Sequence, residues 1–192
     1  IPRPDLGDFE ADNLATRLLD VLVSHQLGSC QDYELTPAEV RNLLAVSPER
    51  VREHFAWLLW RLQSDDTPGD GQLAAKGTRW RELVGPIFER IWPLDARLRT
   101  ERASRNLVQM VMNTDDAFSE AVDAVVDVLA PYELYSLEYT LRLEAAHAAL
   151  VDRYPRATIK LSSALIDPLL HPVPRDLSKL LDDCENRDPQ II

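Results

Sequence analysis

The chain has 192 residues, a net charge of −11 and an isoelectric point near 4.8. Its 45 % hydrophobic and 28 % charged residues are ordinary for a globular protein, and no apolar stretch approaches the ~18 residues of a membrane span. The acidic excess opposes generic nucleic-acid binding, which rests on Lys and Arg displacing counterions, and two cysteines without metal-ligand spacing or a signal peptide point to a reducing cytoplasm.

Pro2 and Pro4 favour an extended, linker-like start, and Asp188 to Ile192 read as trailing chain, so the segment is expected to be excised from a larger protein. From Asp8 to about His25, two apolar stripes, Leu14, Leu18 and Leu22 with Leu19 and Val23, predict a largely buried helix. Thr36, Pro37 and Glu39 supply an N-cap, a first-turn proline and a capping-box glutamate for a short helix ending near Val46. Ser47 and Pro48 start the next, to about Gln63, with Val51, Phe55, Leu58 and Leu62 on one face and Trp57 and Trp60 on the other. Such a helix is either sandwiched between others or meets a partner with its second face. Trp57 and Trp60 are therefore the candidate partner-binding residues.

Residues 64–77 hold turn-forming Asp, Pro and Gly without apolar periodicity and mark a sub-boundary within a single module. Helix resumes from Thr78 to Ile91, with a kink or break expected at Gly85-Pro86 because proline lacks an amide donor. Thr100 caps a helix to Asn113, and Thr114 starts another with Asp115 and Asp116 in its first turn. In that helix Phe118, Val122, Val125, Val126 and Leu129 oppose Glu120, Asp123 and Asp127. Further helices are expected from Leu137 to Tyr154, from Pro155 to Pro168 and after Asp176. With no strand-like alternation, the fold class is all-α. From Thr78 onward the helices pair at intervals of roughly 35 to 45 residues, without residue-by-residue self-similarity between the pairs, which fits an irregular bundle or a short HEAT-like array of hairpins.

Glu144 and His147 form one Glu-x-x-His, a spacing that di-metal bundles use twice with two further glutamates; here it occurs once. The carboxylate pairs Asp65-Asp66, Asp115-Asp116 and Asp182-Asp183 fall in a loop, a first turn and a tail, where solvation and capping explain them. There is no nucleophile elbow, phosphate-cradling loop or reactive-cysteine signature, so no catalytic, cofactor-binding or metal-ligating residue is assigned.

Leu35 to Val51, LTPAEVRNLLAVSPERV, resembles the helix-turn-helix of bacterial DNA-binding proteins. That resemblance implies DNA contacts by Ser47, Arg50 and Arg52 as the alternative function. It departs at Ala45, which occupies the usual turn glycine, at Arg41, where a small residue lets the helices cross, and at Glu49 and Glu53, which would face phosphates.

Trp80, Pro86, Phe88, Trp92-Pro93, Asp95, Ala117-Phe118, Ala121-Val122, Leu129 and Tyr154-Pro155, over about residues 78–168, resemble the C-terminal helical domain of uncharacterised function on large bacterial sirtuin-like anti-phage defence proteins. The resemblance implies that any NAD- or nucleotide-hydrolysing activity resides in other domains. The expected function is thus non-catalytic: interaction, assembly or sensing within a multidomain bacterial protein. Its partners would be other domains of the polypeptide or a second copy, without cofactor or membrane.

Overall fold

Thr36 shows how directly local chemistry sets the helix boundaries. Its backbone is extended, its hydroxyl accepts from the Glu39 amide at 3.3 Å, and the Glu39 carboxylate accepts from the Thr36 amide at 2.7 Å. These bonds hold the Glu39 carboxyl below its ordinary range. The computed structural model describes residues 8–28, 35–64, 75–92, 101–131, 148–166 and 175–190. In chain order its α-helices are α1 (Asp8–Gln26), α2 (Pro37–Val46), α3 (Glu49–Ser64), α4 (Lys76–Arg79), α5 (Gly85–Ile91), α6 (Glu101–Met112), α7 (Phe118–Val125), α8 (Ala148–Arg153), α9 (Pro155–Leu165) and α10 (Arg175–Arg187). A π-helical turn, Trp80–Val84, joins α4 to α5, and 3-10 turns at Asp115–Ala117 and Val126–Val128 flank α7. The fold is all-α, and no described helix is long and apolar enough to cross a membrane.

The helices stack in two layers. α1, α3 and α6 lie side by side in one; α2, α5, α7 and α9 succeed each other in the second, with α8 and α10 packed on α9. Consecutive helices alternate between layers through α7, the topology of a short array of hairpins. α3 is the middle of its layer. It buries Val51, Phe55, Ala56, Leu59 and Gln63, while Leu58, Leu62 and Trp60 are half-buried at its flanks. The expected stripe through Leu58 and Leu62 is thus displaced toward Ala56 and Leu59, because α3 is covered from two sides, by α1 and α6.

Beyond the first layer, Phe55, Phe88 and Trp92 form an aromatic cluster, with Phe88 stacked on Trp92 at 5.4 Å. Phe118, Val122, Val125 and Leu129 are buried as their periodicity predicts, and Glu120, Asp123 and Asp127 face solvent. Asp115 does begin this segment, but in a 3-10 turn and with φ of 48°, so the first turn is strained rather than regular helix. Leu161, Leu165, Leu180 and Cys184 carry the core into the C-terminal helices, and burial pushes the Cys184 thiol up to about 11, which disfavours the thiolate.

No break occurs at Pro86. Helix runs continuously from Lys76 to Ile91, and the irregularity is taken up one turn earlier, where the Gly85 amide bonds back to the Trp80 carbonyl. A Cβ on Gly85 would lie 2.9 Å from that carbonyl oxygen and 3.1 Å from the Trp80 ring, so the widened turn needs glycine there. Proline at 86 lacks the amide that would close on Glu82, and the Gln26 side chain of α1 donates to that carbonyl instead, at 2.9 Å.

Residues 65–74 of the expected sub-boundary lie outside the described residues, but its two sides are bonded together. Gln63, fully buried, donates from Nε2 to the carbonyls of Lys76 and Asn113, both at 2.9 Å. Arg79 donates to the Gln63 carbonyl at 3.0 Å. One amide side chain therefore ties the end of α3 to the start of α4 and the end of α6.

Candidate functional site

Two contacts fix the direction of α3 against α6. Gln63 bonds Asn113 at one end, and Asn106 Nδ2 reaches the Glu53 carbonyl at 3.5 Å toward the other, so the helices run parallel. Their first turns therefore arrive at the same end of the layer, Arg50 from α3 and Arg102 from α6. α1 adds Asp12 on the other side of α3.

Between the three helices is a cleft of about 320 Å³ lined by Asp12, Arg50, Glu53, His54, Trp57, Arg102 and Asn106. His54 makes contacts to both sides of it. Its Nδ1 is 3.2 Å from Asp12 Oδ1, and its ring lies 5.0 Å from that of Trp57, tilted by 33°. The Arg61 guanidinium caps Trp57 at 5.1 Å from the ring centroid, so Arg61, Trp57 and His54 form a continuous stripe along α3. Burial lowers the His54 pKa below its ordinary value; Asp12 opposes this shift, and the charges of Arg102 and Arg50 add to it. The neutral form of the imidazole is thus favoured by burial and by the two guanidinium groups and opposed by the carboxylate.

The cleft lining contains no serine, threonine or cysteine beside the His54–Asp12 pair. Its groups are suited to recognition by charge and hydrogen bonding. Among the described residues no three His, Cys, Asp or Glu side chains gather as a metal site would require. Asp115, Asp116, Asp182 and Asp183 are exposed, with Asp116 paired to Arg81 at 2.9 Å; Glu144, His147, Asp65 and Asp66 lie outside the described residues.

Of the residues singled out in the sequence, Trp57 and Arg50 are brought together in the cleft. Trp60 is not: it packs half-buried against the core. Ser47 is buried and its hydroxyl donates to the Leu43 carbonyl at 2.6 Å. Arg52 clamps the α2–α3 corner, donating to the carbonyls of Leu44 (3.2 Å), Ala45 (3.4 Å) and Ser47 (3.3 Å) and pairing with Glu49 at 2.5 Å. α2 and α3 do meet at a tight corner, but these two side chains are occupied in holding it. Asp12, His54, Arg102 and Asn106 were missed, because they come from three helices some 40 residues apart and share no local motif. The only sequence signal was the helical spacing of Arg50, His54, Trp57 and Arg61 on one stripe of α3.

No family model matches the chain, and no solved structure matches it. One similar protein is the uncharacterised protein y4cA of Sinorhizobium fredii, 25 % identical over 184 residues; the alignment takes in 96 % of this chain and 15 % of that protein. The chain thus spans a small part of its relative's length.

Proposed function

We infer that the chain is a non-catalytic interaction module of a multidomain bacterial protein, serving assembly or sensing in the cytoplasm. The observation that carries this reading is the alignment of nearly the whole chain within 15 % of a far longer bacterial polypeptide. A unit of this kind works beside other domains, and a stacked helical array offers broad faces for docking them. The layer of α1, α3 and α6, with Trp57 at its cleft, is the face we assign to that contact. Trp57 keeps part of its ring exposed between His54 and Arg61, an arrangement of the sort that anchors protein interfaces. The resemblance to defence-protein C-terminal domains adds a setting, anti-phage defence, in which other domains would supply the activity.

The competing reading, DNA binding through α2 and α3, finds little support: Ser47 and Arg52 are occupied internally, α3 is covered on two sides, and the net charge is −11. Titration of a labelled duplex across a salt series separates the two. The interaction reading predicts no salt-dependent affinity. A steep fall in affinity with rising salt, the signature of counterion release, would overturn it in favour of DNA.

A further inference from the structure

The α1–α3–α6 cleft has room for a small molecule. Its volume of about 320 Å³ lies at the lower end of ligand pockets and exceeds what one ion or a few waters fill. In a chain with 32 acidic and 21 basic residues, two arginines from different helices and a histidine converge on this one concavity. Arg50 and Arg102 present planar hydrogen-bond forks suited to an oxyanion. His54 lines the same cleft, with its Nδ1 on Asp12 at 3.2 Å. Glu53, Asp12 and Asn106 line the same space, so the lining is of mixed sign: it offers an anion a seat at the arginines and a donor group a seat at the carboxylates.

We propose that this cleft binds a small ligand carrying an oxyanion, a phosphate or carboxylate, whose charge is received by Arg50 and Arg102 and whose remaining polar groups meet Glu53, Asp12 and Asn106. The site goes beyond the assembly reading and does not depend on it, because ligand binding is measured on the isolated chain. His54 makes the site pH-dependent. The charged groups facing it are Asp12 from α1, Arg50 and Glu53 from α3 and Arg102 from α6. A proton on the ring is disfavoured by burial and by the arginines; a bound anion relieves that penalty, so binding strengthens as pH falls.

Sulfate, whose charge is constant over the range, and acetate are the probes, with sodium chloride at matched ionic strength as the control. They are titrated into the chain while the Trp57 indole N–H and His54 ring resonances are followed by NMR. Saturable shifts with sulfate or acetate and none with chloride are expected, with the stronger of the two giving the anion's class. Arg102 is exposed, so Arg102→Gln keeps the fold, and it should weaken binding about tenfold. Binding should be tighter at about pH 5.5 than at about pH 8 in the parent, and this difference should shrink in His54→Gln. Equal shifts with chloride, or sulfate affinity unchanged by Arg102→Gln, would overturn the proposal. Failure of the chain to associate with another domain would leave these titrations unaffected.

Discussion

Gln26 Nε2, at the end of α1, donates to the Glu82 carbonyl at 2.9 Å, while Gln26 Oε1 accepts from Arg90 at 3.1 Å. The first bond serves the carbonyl that Pro86, four residues on, has no amide to reach. The bond is exposed, so water can take the place of the lost donor, and Gln26→Leu should therefore destabilise the chain by only about 0.5–1.5 kcal/mol. In a Pro86→Ala background the new amide can take over, and the loss should shrink. Urea denaturation of the four variants measures the coupling; a Gln26→Leu cost that is the same in both backgrounds would separate the two residues.

Gly77 makes a second close approach, this time between helix and turn. Alanine in a helix normally stabilises by about 1 kcal/mol over glycine. Here a Cβ would sit 1.7 Å from Asp116 Oδ1 and 3.2 Å from the Thr114 carbonyl oxygen. Gly77→Ala should thus destabilise by about 1–3 kcal/mol, and Asp116→Ala should relieve most of it, since the exposed Arg81–Asp116 pair contributes little. A Gly77→Ala protein that melts higher than the parent would contradict the contact.

Phe55 and Trp57 lie two residues apart on α3 and should respond differently to truncation. Phe55 is fully buried against Trp92, so Phe55→Ala should cost about 3–5 kcal/mol. Trp57 is only partly buried, held by His54 and Arg61 and outside the core, and Trp57→Ala should cost about 1–2 kcal/mol. Equal losses in chemical denaturation would place Trp57 in the core.

The pH dependence of stability follows from His54. Its folded pKa is below the ordinary 6.5, so the unfolded chain takes up its proton first as pH falls. Its contribution is complete above about pH 6.5 and declines as pH drops from there through the folded pKa. Glu39 and Asp188, held low by Thr36 and Arg156, lose theirs in a lower window, as pH falls below the ordinary carboxylate values. Stability curves of the parent and His54→Gln should diverge in the upper window and run parallel in the lower one. Parallel curves throughout would remove His54 from the account.

These relationships divide what the sequence made legible from what it did not. Thr36-Pro37-x-Glu39, Pro48, Pro155 and the Phe118–Leu129 stripe each encode their structure within one or two turns of helix, and the helices begin and face as those residues dictate. Gly85-Pro86 announced an irregularity, but not its form as a π turn, nor the partner of the Glu82 carbonyl, since Gln26 lies 56 residues away in sequence. Gln63 was equally silent, a polar residue whose burial makes sense only when the ends of α4 and α6 are beside it. The cleft was least legible of all, since periodicity assigns Trp57 to a face but cannot bring Asp12 and Arg102 to it.

Sedimentation velocity tests the interaction reading most directly. The 21.8 kDa chain is run alone over a concentration series and again mixed with separately purified segments that flank it in its own reading frame, each with the parent and with Trp57→Ala. The account predicts a faster-sedimenting species, either a self-associated chain or a complex with a flanking segment, that is lost in the folded Trp57→Ala protein. A chain that sediments as an unassociated monomer under every condition would contradict it.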